Sequence, residues 1–100
     1  ETELRTMFAA AWQDLTAAHA TVQNLRREAL PATEEAYTAV RRAYENGALP
    51  IVDVLDAQRA LAALHREILE AESAYATALA RLDALTDPTF TSLADLLAQP

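Results

Sequence analysis

From Leu4 onward, apolar side chains recur at alternating steps of four and three: Leu4, Phe8, Ala11, Leu15, Ala18, Val22, Leu25, Ala29, Ala32, Ala36, Ala39 and Ala43. A seven-residue repeat of this kind lies on one narrow stripe of an α-helix and predicts a left-handed supercoil against a partner helix. Large residues (Phe8, Leu15, Val22, Leu25) occupy the first half of the stripe, and only alanine runs from Ala29 to Ala43. Two helices meeting along it should therefore approach more closely toward Ala43. The repeat returns further on, with Val54, Leu61, Ile68, Tyr75 and Leu82 at one heptad position and Ala57, Leu64, Ala71, Ala78 and Leu85 at the other.

Apolar residues also fall outside these seams. Ile51, Leu55, Leu69 and Leu79 form a second stripe on the later helix, and Trp12, Leu30, Tyr37, Val40 and Tyr44 lie off the seam of the earlier one. That apolar surface is wider than a two-stranded coiled coil needs. One hairpin cannot cover it, so pairing of hairpins into a helical bundle is expected, with the isolated chain a homodimer.

Between the two patterns stands Tyr44-Glu45-Asn46-Gly47-Ala48-Leu49-Pro50, which holds the only glycine. Glycine closes a helix by taking a left-handed conformation, and a proline three residues later suits the first turn of the next helix, where an N–H has no partner to lose. Asp53 and Asp56 follow in the first two turns of that helix, where the positive end of its dipole favours carboxylates. The fold class predicted is all-α: a long antiparallel helical hairpin of coiled-coil type, with helices over about residues 3–45 and 51–86 and a tip at 46–50 made acidic by the Asp53 and Asp56 that follow it. Pro31 interrupts the first helical pattern and removes the hydrogen bond to the Arg27 carbonyl, a change of roughly 3 kcal/mol in a helix interior. The heptad phase can be read through it without a skipped residue, which predicts a kinked or locally opened helix and not two helices joined by a loop. Thr86-Asp87-Pro88 ends the second helix, because the residue before a proline is pushed out of helical geometry. The remainder, 87–100, is expected to form a tail with a short helix near 93–98, opened by Ser92-x-x-Asp95 and folded back over the open end of the hairpin.

Composition narrows the picture. Alanine supplies 24 of 100 residues, which favours long thin helices over a thick globular core. The formal charge is −7, and every basic residue is an arginine, placed singly or in pairs. Nucleic acid requires clustered cations, so it is excluded as a partner, and an anionic lipid surface is disfavoured for the same reason. There is no cysteine, hence no disulfide framework or thiol chemistry. No apolar run is long enough to span a bilayer as a helix. No secretory signal opens the chain, and Leu4 already lies on the helical pattern, which suggests a segment cut from something larger.

Catalytic chemistry finds no constellation. Nucleophilic catalysis needs a serine or cysteine beside a histidine held by a carboxylate, and metals need ligands converging on one face. His19 and His65 are read as surface histidines, ~60 to 70 Å apart when counted by helical rise along the chain. Tyr37, Tyr44 and Tyr75 read as packing residues. Glu34-Glu35, Arg26-Arg27, Arg41-Arg42 and the Glu67, Glu70, Glu72 group read as solvated helix faces. No enzyme activity, cofactor or metal is expected.

Tyr44-x-x-Gly47-x-x-x-Ile51-Val52-Asp53-Val54-Leu55-Asp56-Ala57-Gln58-Arg59, followed by Tyr75 and a closing Leu82-x-x-Leu85, resembles the second periplasmic hairpin of TolC-like outer-membrane efflux channels. The likeness is tightest between Tyr44 and Leu85 and looser before it. It implies the periplasmic portion of an outer-membrane protein: a passive export conduit, homotrimeric in its full-length parent, docking end-on with a periplasmic adaptor and an inner-membrane pump. The barrel strands and the other hairpin of such channels have no counterpart here, so the resemblance implies a fragment. By the same resemblance Asp53 and Asp56 would line the pore mouth as acidic rings that select cations, within a tip made by Tyr44, Gly47, Leu49 and Pro50. Relatives that lock the mouth through a tyrosine and an arginine would place these at Tyr44 and Leu49, and leucine cannot make that polar bridge. Two alternatives stand beside this resemblance: a free-standing coiled-coil interaction module, and the hairpin of an adaptor, whose tips carry a spaced Arg, Leu and Ser pattern that this chain lacks, with no serine before Ser73.

Overall fold

The structure, a computed structural model, describes residues 2–86; the expected short helix near 93–98 lies outside them. Helix α1 spans Thr2–Asn24, a π-helical turn follows at Leu25–Ala29, and α2 runs over Leu30–Glu45. After a turn, α3 returns over Ile51–Thr86. The described residues are 94% helical, without strands, and form an all-α hairpin. Its principal extents are 78 × 16 × 15 Å, a rod and not a globule.

The three helical segments before the turn form one continuous arm. Asn24, Ala29 and Leu30 all keep right-handed helical torsions, so no loop intervenes. The break is one of hydrogen bonding. Pro31 has no N–H to offer, and its ring crowds the carbonyl four residues back. The arm widens just before it, with the Leu30 N–H donating to the Leu25 carbonyl, five residues back instead of four. A single π turn of this kind inserts one residue into the helix without ending it.

That inserted residue changes which side chains face α3. Before it, the expected seam holds except at Phe8, which is 42% exposed: Ala11 is buried, and Leu4, Leu15, Ala18, Val22, Leu25 and Ala29 are half-buried. Beyond it, Ala32, Ala36 and Ala39 are exposed, and the half-buried positions are Leu30, Thr33, Tyr37 and Val40. The expectation of an all-alanine seam toward the tip is therefore corrected. From Ala32 to Ala39 each inward position has moved on by one, so the heptad phase does not pass unshifted through Pro31; at the end of the arm Ala43 is half-buried and Tyr44 exposed, as regular phasing expects. The local opening expected there is present, and it is what moves the phase.

Helix α3 has no such interruption. All ten of its heptad positions are buried or half-buried, and Val54, Leu64, Ile68 and Ala78 are the most enclosed. Among the described residues no large side chain is less than 2% exposed, as expected where only two helices meet. Threonines on the exposed faces satisfy their hydroxyls locally: Thr16 Oγ1 donates to the Trp12 carbonyl and Thr38 Oγ1 to that of Glu34. Such back-bonding lets them sit inside a helix at little cost.

The second apolar stripe stays uncovered. Ile51 (49%), Leu55 (42%), Leu69 (65%) and Leu79 (39%) are exposed along α3, as are Trp12 and Tyr44 on the first arm. Leu30, Tyr37 and Val40, which regular phasing put off the seam, are the residues the π turn brings inside.

Candidate functional site

The tip is built by a helix stop and a helix start five residues apart. Gly47 has φ +79°, the one positive φ among the described residues. Around it the Ala48 N–H donates to the Ala43 carbonyl at 2.8 Å and the Gly47 N–H to the Tyr44 carbonyl at 3.0 Å. These are the paired bonds of a Schellman motif, which satisfies carbonyls that the end of α2 would leave orphaned. A Cβ placed on Gly47 would meet nothing within 4 Å. Glycine is needed there for its backbone torsion alone, and not for space.

Pro50 stands immediately before α3, and its carbonyl accepts the Asp53 N–H at 3.1 Å. Leu49 is half-buried against the turn, and Tyr44 is 41% exposed. Asp53, in the first turn of α3, is half-buried and makes no ion pair among the described residues. Asp56 is exposed, and its Oδ1 lies 3.4 Å from Arg59 Nη1 one turn on. The two carboxylates thus differ: one has a cation of its own helix beside it and the other does not. Ile51, Val52 (51% exposed) and Leu55 surround them with apolar surface. This collar is legible from the sequence only once the seam residues Val54 and Ala57 are known to face inward.

The histidines do not combine. His19 meets Tyr75 ring to ring, with centroids 5.8 Å apart and planes tilted by 47°. His65 lies near Arg26, Leu30, Ile68, Leu69 and Glu72. Counting rise along the chain overstates their separation, because the chain folds back: Tyr75 and His65 are ten residues apart on one helix, about 15 Å. Among the described residues no group of His, Asp and Glu is arranged to hold a metal ion.

Three contacts across the hairpin were not legible in the sequence. Arg26 Nη2 reaches Glu72 Oε2 at 2.7 Å, Arg81 Nη1 lies 3.4 Å from Asp14 Oδ2, and Gln58 Nε2 donates to Tyr37 Oη at 3.3 Å. All three require the register between the arms, and the last also requires the shifted phase that turns Tyr37 toward α3.

No helix among the described residues is long and apolar enough to cross a membrane. Compared with known families, residues 1–87 match the model of the outer membrane efflux protein family. Neither a curated protein nor a solved structure matches the chain.

Proposed function

Because the chain belongs to the outer membrane efflux protein family, we propose that it forms a periplasmic α-hairpin of an outer-membrane efflux channel and lines its export conduit as one of three protomers. The family is one of transport conduits, not of enzymes. The observation that carries the reading is that the match runs unbroken through the hairpin and its tip, residues 1–87. Support comes from the uncovered stripe of Ile51, Leu55, Leu69 and Leu79, a surface that neighbouring hairpins of a closed wall would bury. Away from such neighbours, two copies of the chain pair along this stripe as a four-helix dimer. Light scattering at tens of micromolar should give twice the chain mass, and a monomer mass would refute the pairing.

In this reading the tip is the periplasmic mouth, which docks end-on with a periplasmic adaptor coupled to an inner-membrane pump. Asp53 and Asp56, repeated threefold at a constriction, hold cations by the proximity of like charges. Arg59 beside Asp56 offsets part of one ring, so Asp53 is the stronger contributor. Leu49 makes an apolar constriction in place of a tyrosine–arginine lock with Tyr44. Planar-bilayer recording of the full-length parent tests the assignment. Asp53→Asn should weaken cation selectivity and divalent block more than Asp56→Asn, and the double variant most. Wild-type selectivity and divalent sensitivity in the double variant would refute the acidic rings.

A further inference from the structure

The uncovered stripe of α3 is not purely apolar. His65 and Glu72 fall on the same alternation of three and four residues as Leu55, Leu69 and Leu79. His65 is exposed in the single hairpin, bordered by Arg26, Leu30, Ile68, Leu69 and Glu72. The charged groups facing its ring, Arg26 from the first arm and Glu72 from its own helix, are already paired with each other at 2.7 Å. The first arm contributes to the same broad face. Trp12 and Tyr44 each follow an inward alanine, Ala11 and Ala43, as Leu55, Leu69 and Leu79 follow Val54, Ile68 and Ala78. In antiparallel helices that one-residue step turns to the same side of the hairpin.

Building on the pairing of two copies along this stripe, we propose that the copies lie antiparallel with both His65 rings in the central layer, and that acid releases them by charging those rings. Charge sets the direction. In a parallel pair each residue meets its own equivalent, so Glu72 faces Glu72 and Asp83 faces Asp83, like charges in direct opposition. Turned end over end, the layers match Leu55 with Leu79 of the second copy, His65 with Leu69 and Glu72 with Ala62. No carboxylate of the stripe then meets another.

The exposed aromatics agree with that direction. The contacts of Arg26 with Glu72 and of Tyr37 with Gln58 set the centre of these layers level with the π turn, about 27 Å from Trp12 and about 21 Å from Tyr44 by helical rise. Trp12 of one copy therefore lies about 6 Å along the axis from Tyr44 of the other. Trp12 is 55% and Tyr44 41% exposed in the single hairpin, and the two rings cover each other in the pair. At the centre, each His65 packs on Leu69 of the second copy, about 6 Å along the axis from the other His65. The nearest carboxylate, Glu72, is engaged by Arg26, so nothing there balances an added proton. A neutral ring fits this layer and an imidazolium does not. Separated copies hence bind more protons, and association weakens as pH falls. Net charge acts the other way, since the −7 carried at pH 7 shrinks toward acid and its repulsion with it.

Sedimentation equilibrium of the chain at about pH 7.5 and about pH 5.5, where histidine changes charge and carboxylates stay ionised, tests the switch. The dissociation constant should rise roughly 100-fold toward acid, one proton being taken up by each copy, with helical circular dichroism unchanged. His65→Gln should hold the pair together at both pH values. His19→Gln should keep the acid response, because His19 stacks on Tyr75 of its own hairpin away from the central layer. The same acid response in His65→Gln, or its loss in His19→Gln, overturns the proposal. A dimer of equal affinity at both pH values overturns the switch and leaves the pairing standing, whereas a monomer already at about pH 7.5 refutes the pairing and the switch together. Direction is read by cross-linking, since the chain has no cysteine of its own. Leu55→Cys and Leu79→Cys should form a disulfide dimer when mixed and oxidised, and neither should do so alone. Dimers cross-linked by either variant alone mean a parallel pair and overturn the antiparallel layers.

Discussion

The first arm of the hairpin contains two halves that pack against the same partner helix by different rules. Before Leu25 its inward stripe is the one that regular heptad phasing dictates, save for the exposed Phe8, with Leu4, Ala11, Leu15, Ala18 and Val22. After Ala29 the stripe is Leu30, Thr33, Tyr37 and Val40, ending at Ala43. One residue inserted by a π turn separates them. Had the helix stayed regular, α2 would offer α3 little more than alanine methyl groups, and Leu30, Tyr37 and Val40 would stand in water. At about 25 cal/mol per Å² of apolar area, burying those three side chains is worth several kilocalories more than burying alanines. Proline supplies the local reason for the turn, and the apolar content of the shifted stripe supplies the reason it is kept.

The largest expected effect is on the register itself. Tyr37→Ala should destabilise the hairpin by roughly 2 kcal/mol, since it removes a half-buried aromatic. Ala36→Ser, one residue earlier and exposed, should stay within about 0.5 kcal/mol. Urea unfolding followed by circular dichroism measures both. Equal costs, or a larger cost at Ala36, would mean that the regular phase continues through Pro31 and that the two halves do not differ.

Periodicity made the hairpin, its turn and the whole seam of α3 legible in advance, because nothing between Ile51 and Thr86 disturbs the residue count per turn. Pro31 was equally visible, but its consequence was not. A missing N–H can be absorbed by a kink, by a loop or by an inserted residue, and only the last moves the phase. The clue was present in the residues set aside as off the seam: Leu30, Tyr37 and Val40 each stand one position after a predicted inward site. At the tip, Gly47, Asp53 and Asp56 were legible from capping chemistry and the helix dipole. The pairing of Asp56 with Arg59 needed only helical spacing, whereas Tyr37 with Gln58 and Arg26 with Glu72 needed the register between the arms, which no local pattern contains.

A smaller effect is expected at the tip. Gly47→Val places a β-branched residue at φ +79°, a conformation costing L-residues roughly 1–2 kcal/mol. With open space around the site, the cost is purely torsional, and Gly47→Asn should recover part of it. Hydrogen exchange should accelerate at the end of α2 and the start of α3 and leave α1 near its wild-type rates, since the half before the π turn does not depend on the turn's geometry. Unchanged stability in Gly47→Val would show that the left-handed stop is not what closes α2.

The smallest effect lies at the junction of the two halves. Arg26 sits within the π turn and reaches across to Glu72 at 2.7 Å, with both side chains well exposed at 50% and 38%. Exposed pairs of this kind contribute about 0–1 kcal/mol, because water screens the attraction and two long side chains lose freedom in making it. A double-mutant cycle with Arg26→Ala and Glu72→Ala should therefore give a coupling below about 1 kcal/mol, shrinking as salt is raised. Such a value would mean that the π turn is held by Pro31 and by the apolar stripe it exposes to α3, with the ion pair an accessory. A coupling well above that range, persisting at high salt, would give the pair a part in fixing the turn and would reverse the order of causes argued for the shifted phase. Leu30 then discriminates further: its N–H makes the i to i−5 bond that defines the turn, so its exchange rate should be nearly unchanged in Arg26→Ala if the pair is an accessory, and should rise in step with the lost coupling if it is not.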